Sequence, residues 1–579
     1  MQECIRNIRG LFAKYKIDGY IVPCNDQYLN EYVHESAKRL QYITNFSGSN
    51  GIAVICKGKA VFFTDGRYLE QSKHELDQEI FKIFDIKDLA HFPWDNYLGN
   101  DGILGYDSKL FTNVKLQTFS KIKSRLHKIS DNLIDQIWYD KPDQPSSKIY
   151  IHDDKFSGQS YSNKIVICRN LLTKYSADTM IVTSTDSICW LLNLRASDTP
   201  YSPLMLAIVL ITQDQLYLFT NPNRDNQEIM IARPDITILS EEKFAGILGQ
   251  TNKVLVDENF VSSYIMDLLN NKLVEKINDP CQLFKAIKND IEIKHAVNFH
   301  INDAVALCEF LAYLFELPNL QEQTEYDLGE ILTEFRSKQD QYVTNSFPTI
   351  CGFKENGAII HYRATSHQAK KILGKGILLI DSGGQYKGCT TDVTRTFAIG
   401  DPTEEQKLRY TQVLKGHIAL SMIKFPVNIT TGSHLDVLAR QFLWRDGQDY
   451  PHGTGHGVGS FLNVHEGPQN INLRSNVILQ PGMIVSNEPG YYKINEFGIR
   501  IENLMYIRNS LQDVNYLEFD TLTMVPYAKE LIDYKMLNED EIRYIKQYYQ
   551  KIKQQVYPLL SIRGQKWLSN QLFFPYSSN

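Results

Sequence analysis

The sequence predicts a mixed α/β protein: two similar N-terminal α/β domains, then a larger α+β domain built from two like halves. Three observations carry that prediction. Helical and strand-like periodicities alternate through the first half of the chain. Signals near the N-terminus recur about one domain later. Two acid pairs, Asp381 with Asp392 and Glu488 with Glu502, stand in strand-like runs separated by 107 and 110 residues.

Length and composition bound the answer. A chain of 579 residues exceeds one ordinary domain and implies about two to four. Its 43% hydrophobic and 22% charged residues are those of a water-soluble globular protein. A net charge of −6 gives no electrostatic case for nucleic acid. No apolar run approaches the ~20 residues of a membrane span, and Leu204 to Ile211 reads as a buried strand. The N-terminus lacks an apolar signal core. Nine scattered cysteines without a CxxC point to free thiols in a reducing, cytoplasmic compartment. With no signal peptide, the two glycosylation-like triplets, at Asn45 and Asn428, carry no weight.

Ile5, Ile8, Leu11, Phe12 and Tyr15 lie at helical spacing and predict a first helix. Residues 17–23, 51–56 and 60–64 read as strands, and Thr64 to Tyr68 as a turn into a helix. The polar, proline-containing stretch from Lys141 marks a linker that closes a first domain, 1–145. A second, 150–287, repeats it. Lys14-Tyr15 and the strand after it resemble Lys174-Tyr175 and its strand, at an offset of 160, and Phe63-Thr64 resembles Phe219-Thr220 at 156. Neither copy holds a nucleotide loop or catalytic cluster, so both read as scaffold or substrate gate.

The third domain, 288–579, opens on a long helical pattern. His295 and His300 lie in it and take no assigned role, as lone helical histidines are usually structural. Thr324-x-x-Asp327 predicts a capped second helix. Strands follow, GAIIHY (357–362) among them, and then a hairpin over Ile377 to Phe397. A turn between Tyr386 and Lys387 sets Asp381 opposite Asp392, with Cβ atoms about 4.5–5.5 Å apart. The order then recurs. Thr403-x-x-Gln406 and Ser433-x-x-Asp436 read as caps of two helices, the first running to about Lys424. VSNEPGYY and FGIRIENLMYI read as a strand pair carrying Glu488 and Glu502. The spacing predicts halves about a pseudo-twofold axis with four carboxylates converging. Residues 538–556 read as an amphipathic terminal helix, and an aromatic tail follows.

Like charges this close repel unless a cation sits among them. Two divalent ions would neutralise four carboxylates. Between the acid pairs lies Tyr450 to His465, three histidines among glycines, with no Lys-Ser/Thr ending to make it a phosphate loop. One imidazole added to four carboxylates gives an oxygen-rich shell, which suits hard ions such as manganese better than zinc. Two ions about 3.5–4 Å apart hold a bridging water, lower its pKa and polarise a carbonyl.

The order Asp381, Asp392, His456, Glu488, Glu502 resembles the ligand set of the pita-bread metallopeptidases. GAIIHY, DVTRTF, HGTGHGVGSFLNVHEGP, SNEPGYY, FGIRIEN and, in the first domain, TDGRY are similar to motifs of the cytosolic-type Xaa-Pro aminopeptidases. The resemblance covers nearly the whole chain. It implies two creatinase-like domains before a pita-bread catalytic domain, a dinuclear manganese centre, and a bridging hydroxide that attacks the N-terminal Xaa-Pro bond of peptides with proline second. It also implies a homodimer. Those five residues would be the metal ligands, with Glu488 also handling the nucleophile's proton. His361 and His465 would hold substrate and steady the tetrahedral intermediate, and His452 would wall the substrate pocket. Arg500, on the strand before Glu502, orients a carboxylate or forms an ordinary ion pair. Cys389 departs from the family pattern and is expected to make the site sensitive to peroxide or soft metals.

Proline lacks an N–H and fixes its backbone, so a peptidase for this bond must act on the carbonyl. Three alternatives stay open here: a prolidase-like dipeptidase, a non-catalytic pita-bread protein that binds peptides or acts as a chaperone, and a metal-free creatinase-like hydrolase. The middle domain argues against the first, and the full acid set against the other two.

Overall fold

The computed structural model describes residues 1–573, apart from the side chain of Ser124. It divides into two compact units, Met1–His152 with Gln159–Cys281, and Asp153–Gly158 with Gln282 onward. The last six residues of the aromatic tail lie outside the described residues.

The first unit holds two six-stranded mixed sheets of one topology. The first runs Phe81–Asp85, Ala60–Thr64, Ile52–Cys56, Gly19–Pro23, Leu104–Asp107, Leu126–Ile129. The second runs Ile236–Ser240, Leu216–Thr220, Ala207–Thr212, Thr179–Val182, Lys253–Val256, Leu273–Lys276. In each, three antiparallel strands are flanked by parallel ones. The recurrence read in the sequence is thus a repeat of topology. A helix precedes the central strand in both copies, Gln2–Tyr15 and Tyr161–Tyr175. Ile5, Ile8 and Phe12 bury the inner face of the first of these. Residues 141–149 have no regular structure, yet they are pinned: Arg224, in a buried ion pair with Asp198, also donates to the Ser147 carbonyl.

The first long helix of the second unit is Asp290–Glu316, where Asn289 and Glu292 form a reciprocal capping box. Next comes Glu325–Ser337, capped by Thr324 and Asp327 as its spacing predicts. The strand Gly376–Ser382 then pairs with Val393–Ile399. A second helix pair, Glu404–Met422 and Gly432–Trp444, leads to the strands Ile484–Asn487 and Gly490–Lys493. These pair with Phe497–Arg500 and Asn503–Asn509. Helix pair and acid-bearing hairpin therefore occur twice. The helices Glu539–Gln555 and Ile562–Gln571 close the fold, with Ile545, Tyr549 and Ile552 in the main core.

Three local expectations need correction. GAIIHY is no strand: it spans the end of a 3-10 turn, Lys354–Ala358, and the loop beyond it. A Cβ on Gly498 would stand 1.7 Å from the Gly357 carbonyl, so the chain turns there against another backbone. The second helix of the second half is capped by Thr431, not Ser433. Its apparent cap partner Asp436 is instead committed to Arg440, at 2.7 Å, and to the Thr454 hydroxyl. The third correction concerns register. Asp381 pairs with Thr394 and Ser382 with Val393, so the turn falls at Lys387-Gly388, and Asp392 is offset by two residues from the position opposite Asp381. A slip of two keeps both acids on one face, because side chains alternate with period two.

Candidate metal centre

The site is built from the two hairpins and the glycine-rich segment between them. Val393–Ile399 lies against the second hairpin. The Glu502 N–H donates to the Thr394 carbonyl at 3.1 Å, and the Arg500 N–H to Thr396 Oγ1 at 3.1 Å. Buried Arg395 completes this seam by donating to the Glu502 carbonyl and to Asn503 Oδ1. In the second hairpin Asn487 pairs with Asn503 and Gly490 with Arg500, which sets Glu488 opposite Glu502.

His456 stands on a three-residue strand, Gly455–Gly457, within a six-stranded sheet. Only glycine fits beside it: a Cβ at Gly455 would meet the Ser486 carbonyl at 1.9 Å. His456 Nδ1 lies 2.9 Å from the Gly457 carbonyl, so it carries the proton and leaves Nε2 free as a ligand nitrogen. That Nε2 is 3.5 Å from Asp392 and 3.4 Å from Glu488. One ligand atom each from Asp392, His456 and Glu502 falls within a mutual 4.8 Å.

Asp381 is held by Arg500 at 2.6 Å, the ion pair foreseen for Arg500. Arg500 also donates to the Tyr492 hydroxyl at 2.8 Å, and His452 Nε2 lies 2.9 Å from the same oxygen. His452 Nδ1 sits 2.8 Å from the Gly453 carbonyl, so the Tyr492 proton points to His452. Asp436 and Arg440 tie down this stretch, with Arg440 donating to the carbonyls of Tyr450 and His452. The His465 ring stands edge-on to His456, with centroids 4.5 Å apart. His361 is half-buried and follows the turn that packs on Gly498, which ties its backbone to the same hairpin.

Electrostatics say what this cluster lacks. Burial first, then the charges of Asp381 and Glu488, push the Asp392 carboxyl well above its usual range. Burial followed by Asp392, Glu488 and Asp381 does the same to Glu502. Glu488 is raised by burial, and the nearby His456 and Arg500 oppose the shift. Asp381 Oδ1, Asp392 Oδ1 and Glu502 Oε1 are buried without a hydrogen-bond partner. Orphaned oxygens on mutually repelling acids fit divalent cations with hard oxygen ligands.

Sequence reasoning gave no role to Tyr492, Thr394 or Ser486. Thr394 donates to Glu502 at 2.7 Å, and Ser486 to Glu488 at 3.1 Å. Pairing was the available signal: Tyr492 and Arg500 lie diagonally across one hairpin, each opposite a glycine. Cys389 does not meet its expectation. Its thiol is buried among Phe299, Tyr386 and Val458, and burial pushes it far up. A buried, protonated thiol is a poor target for peroxide or soft metals.

The fold and this cluster define a metallopeptidase, and the chain belongs to metallopeptidase family M24, whose description matches residues 299–509. Residues 5–136 and 140–292 match creatinase/prolidase N-terminal domains, and 515–572 the C-terminal region of the family. The chain is 39% identical to Xaa-Pro aminopeptidase 1 of Dictyostelium discoideum, over 98% of this chain and 96% of that protein. It is 35% identical to aminopeptidase P2 of Arabidopsis thaliana, over 98% and 88%. The crystal structure of X-prolyl aminopeptidase from Caenorhabditis elegans, described as a cytosolic enzyme with a di-nuclear active site, superposes with a TM-score of 0.92. It is 30% identical, with 99% of each chain covered. The Xaa-Pro dipeptidase of Bacillus anthracis shares the fold over 64% of this chain, at 23% identity and a TM-score of 0.51.

Proposed function

We propose that this chain is a dinuclear metalloaminopeptidase that releases the first residue from peptides with proline second. The carrying observation is that Asp392, His456 and Glu502 bring ligand atoms within a mutual 4.8 Å, with Glu488 3.4 Å from His456 and with oxygens of Asp381, Asp392 and Glu502 buried and unpartnered. These five residues would hold two divalent ions. Four carboxylates and one imidazole favour manganese. Bound there, the ions supply a Lewis acid for the scissile carbonyl and acidify water near neutral pH.

The protein's own groups do the rest. Arg500 fixes Asp381 through one oxygen and leaves the other buried without a hydrogen-bond partner. The Gly457 carbonyl sets the His456 tautomer. Glu488 has a side chain 18% exposed and a raised affinity for protons. In this reading it takes a proton from water and returns it to the leaving proline nitrogen. His465 and His361 donate to the developing oxyanion. His452, steadied by Tyr492, walls the substrate side.

Division of the chain into 1–145, 150–287 and 288–579, a cytoplasmic home and a homodimer are parts of this reading. The nine free cysteines favour the cytoplasm. Release of the first residue from an Xaa-Pro-Xaa peptide, after chelation and again after adding Mn, tests it. Cleavage of Xaa-Pro dipeptides alone would make the protein a prolidase, and activity that survives chelation would refute the metal mechanism. Sedimentation reports the oligomeric state.

A further inference from the structure

We propose that Gln385 and Thr390, near the tip of the first hairpin, are positioning residues for His465. The inference rests on the reading of His465 as an oxyanion donor. Both are fully buried, and neither is among the five groups assigned to metal. Gln385 Nε2 donates to the Leu462 carbonyl at 2.7 Å. The Leu462 N–H donates to Thr390 Oγ1 at 3.2 Å. Thr390 Oγ1 in turn donates to Gln385 Oε1 at 2.9 Å. The three groups form a closed ring in which each donor meets an acceptor. A flipped Gln385 amide would set oxygen against the Leu462 carbonyl, so its orientation is forced.

The ring seizes both main-chain groups of one residue, three positions before His465. Nearby, Ser460 Oγ donates to the Gly388 carbonyl in the hairpin turn at 3.2 Å. Phe461, between these anchors, has φ of 54° and is wholly buried. A side-chain-bearing residue keeps that left-handed backbone only where its surroundings enforce it. On the far side of His465, Glu466 forms a buried ion pair with Lys285. His465 is thus strung between two anchored points, and its loop is bolted to the hairpin that carries Asp381 and Asp392.

This joint fixes the imidazole relative to the acids across segments far apart in sequence. Polar groups at full burial are costly unless each is satisfied, so the ring does more than fill space. A donor for a developing oxyanion must be held to a fraction of an ångström.

The test uses the full-length, metal-loaded enzyme with Gln385→Leu, His465→Ala and the double variant. Gln385→Leu is expected to lower kcat on an Xaa-Pro-Xaa peptide by about 10- to 100-fold, a size known for ångström-scale misplacement. Bound metal per chain should stay unchanged. In the His465→Ala background the same substitution should cost less than about 3-fold, because its effect passes through that ring. Thr390→Ser, which keeps the hydroxyl, should retain activity, and Thr390→Val should lose it. That pair decides the matter if Gln385→Leu does not fold. A full penalty repeated in the double variant, or loss of metal in step with activity, would overturn the inference. If His465→Ala alone changes nothing, the reading of His465 fails, and the clamp loses its purpose with it.

Discussion

Glu488 and Glu502 occupy opposing positions in the gap between two strand ladders of one register. Asn487 pairs with Asn503 below, and Gly490 with Arg500 above. Directly opposed carboxylates are destabilising without a cation. Asp381 and Asp392 share one face of the other hairpin with a stagger of two. Chelation should therefore lower the melting temperature as well as the activity, since a ligand bound only by the native state stabilises it. Manganese should restore both, and differential scanning fluorimetry with and without EDTA checks this.

Tyr492 joins two functional neighbourhoods through one hydroxyl, between Arg500 and His452. Tyr492→Phe deletes both bonds and leaves a buried guanidinium short of an acceptor. A loss of about 1–3 kcal/mol of transition-state stabilisation follows, roughly 5- to 150-fold in kcat/KM. Gly490→Ala should act alike. Its Cβ would stand 2.6 Å from the Tyr492 hydroxyl and 2.8 Å from the Ile499 carbonyl. Steady-state kinetics with metal content measured in parallel tests both variants.

His417 lies beneath the second hairpin, and its Nδ1 donates to the Asn487 carbonyl at 3.1 Å. Burial, reinforced by the nearby Arg395 charge, lowers its pKa from 6.5 to about 3. The unfolded chain therefore binds a proton there that the folded one refuses. Stability from this group is complete above pH ~6.5 and is lost progressively as pH falls toward about 3. His417→Gln should flatten that part of the curve of melting temperature against pH. A profile as steep as that of the wild type would contradict the assignment.

The terminal helix Ile562–Gln571 is fastened by Glu309, whose carboxylate accepts from the Ser561 N–H and, at 2.8 Å, from its hydroxyl. Glu309→Ala should cost about 1–3 kcal/mol locally and open the chain near Leu560 to limited proteolysis. Peptidase activity should persist, because none of these groups belongs to the metal cluster.

Much of this was legible in the sequence because the chemistry is carried by residue type and spacing. The four acids follow from their place in apolar runs, whereas the choice of His456 among the three histidines of its glycine-rich loop came from the family resemblance. The register of the first hairpin was not legible. Its turn falls at Lys387-Gly388, and the acid that might have marked the pairing, Asp392, lies just outside the strand. The face survived because the error was an even number of residues. GAIIHY misled because an apolar run reads as strand, whereas here it follows a tight turn against Gly498. Ser433 misled because Asp436 serves Arg440 and Thr454, a demand set 4 and 18 residues away. Tyr492 and Gln385 went unassigned because their partners become neighbours only when strands pair.

Elemental analysis of the purified full-length protein, with the same sample assayed for release of the first residue from an Xaa-Pro-Xaa peptide, asks whether the reaction depends on bound metal. About two divalent ions per chain are predicted, with activity that vanishes on their removal and in Asp392→Asn. A protein that cleaves the peptide equally well with its metal stripped away would not be a metalloaminopeptidase.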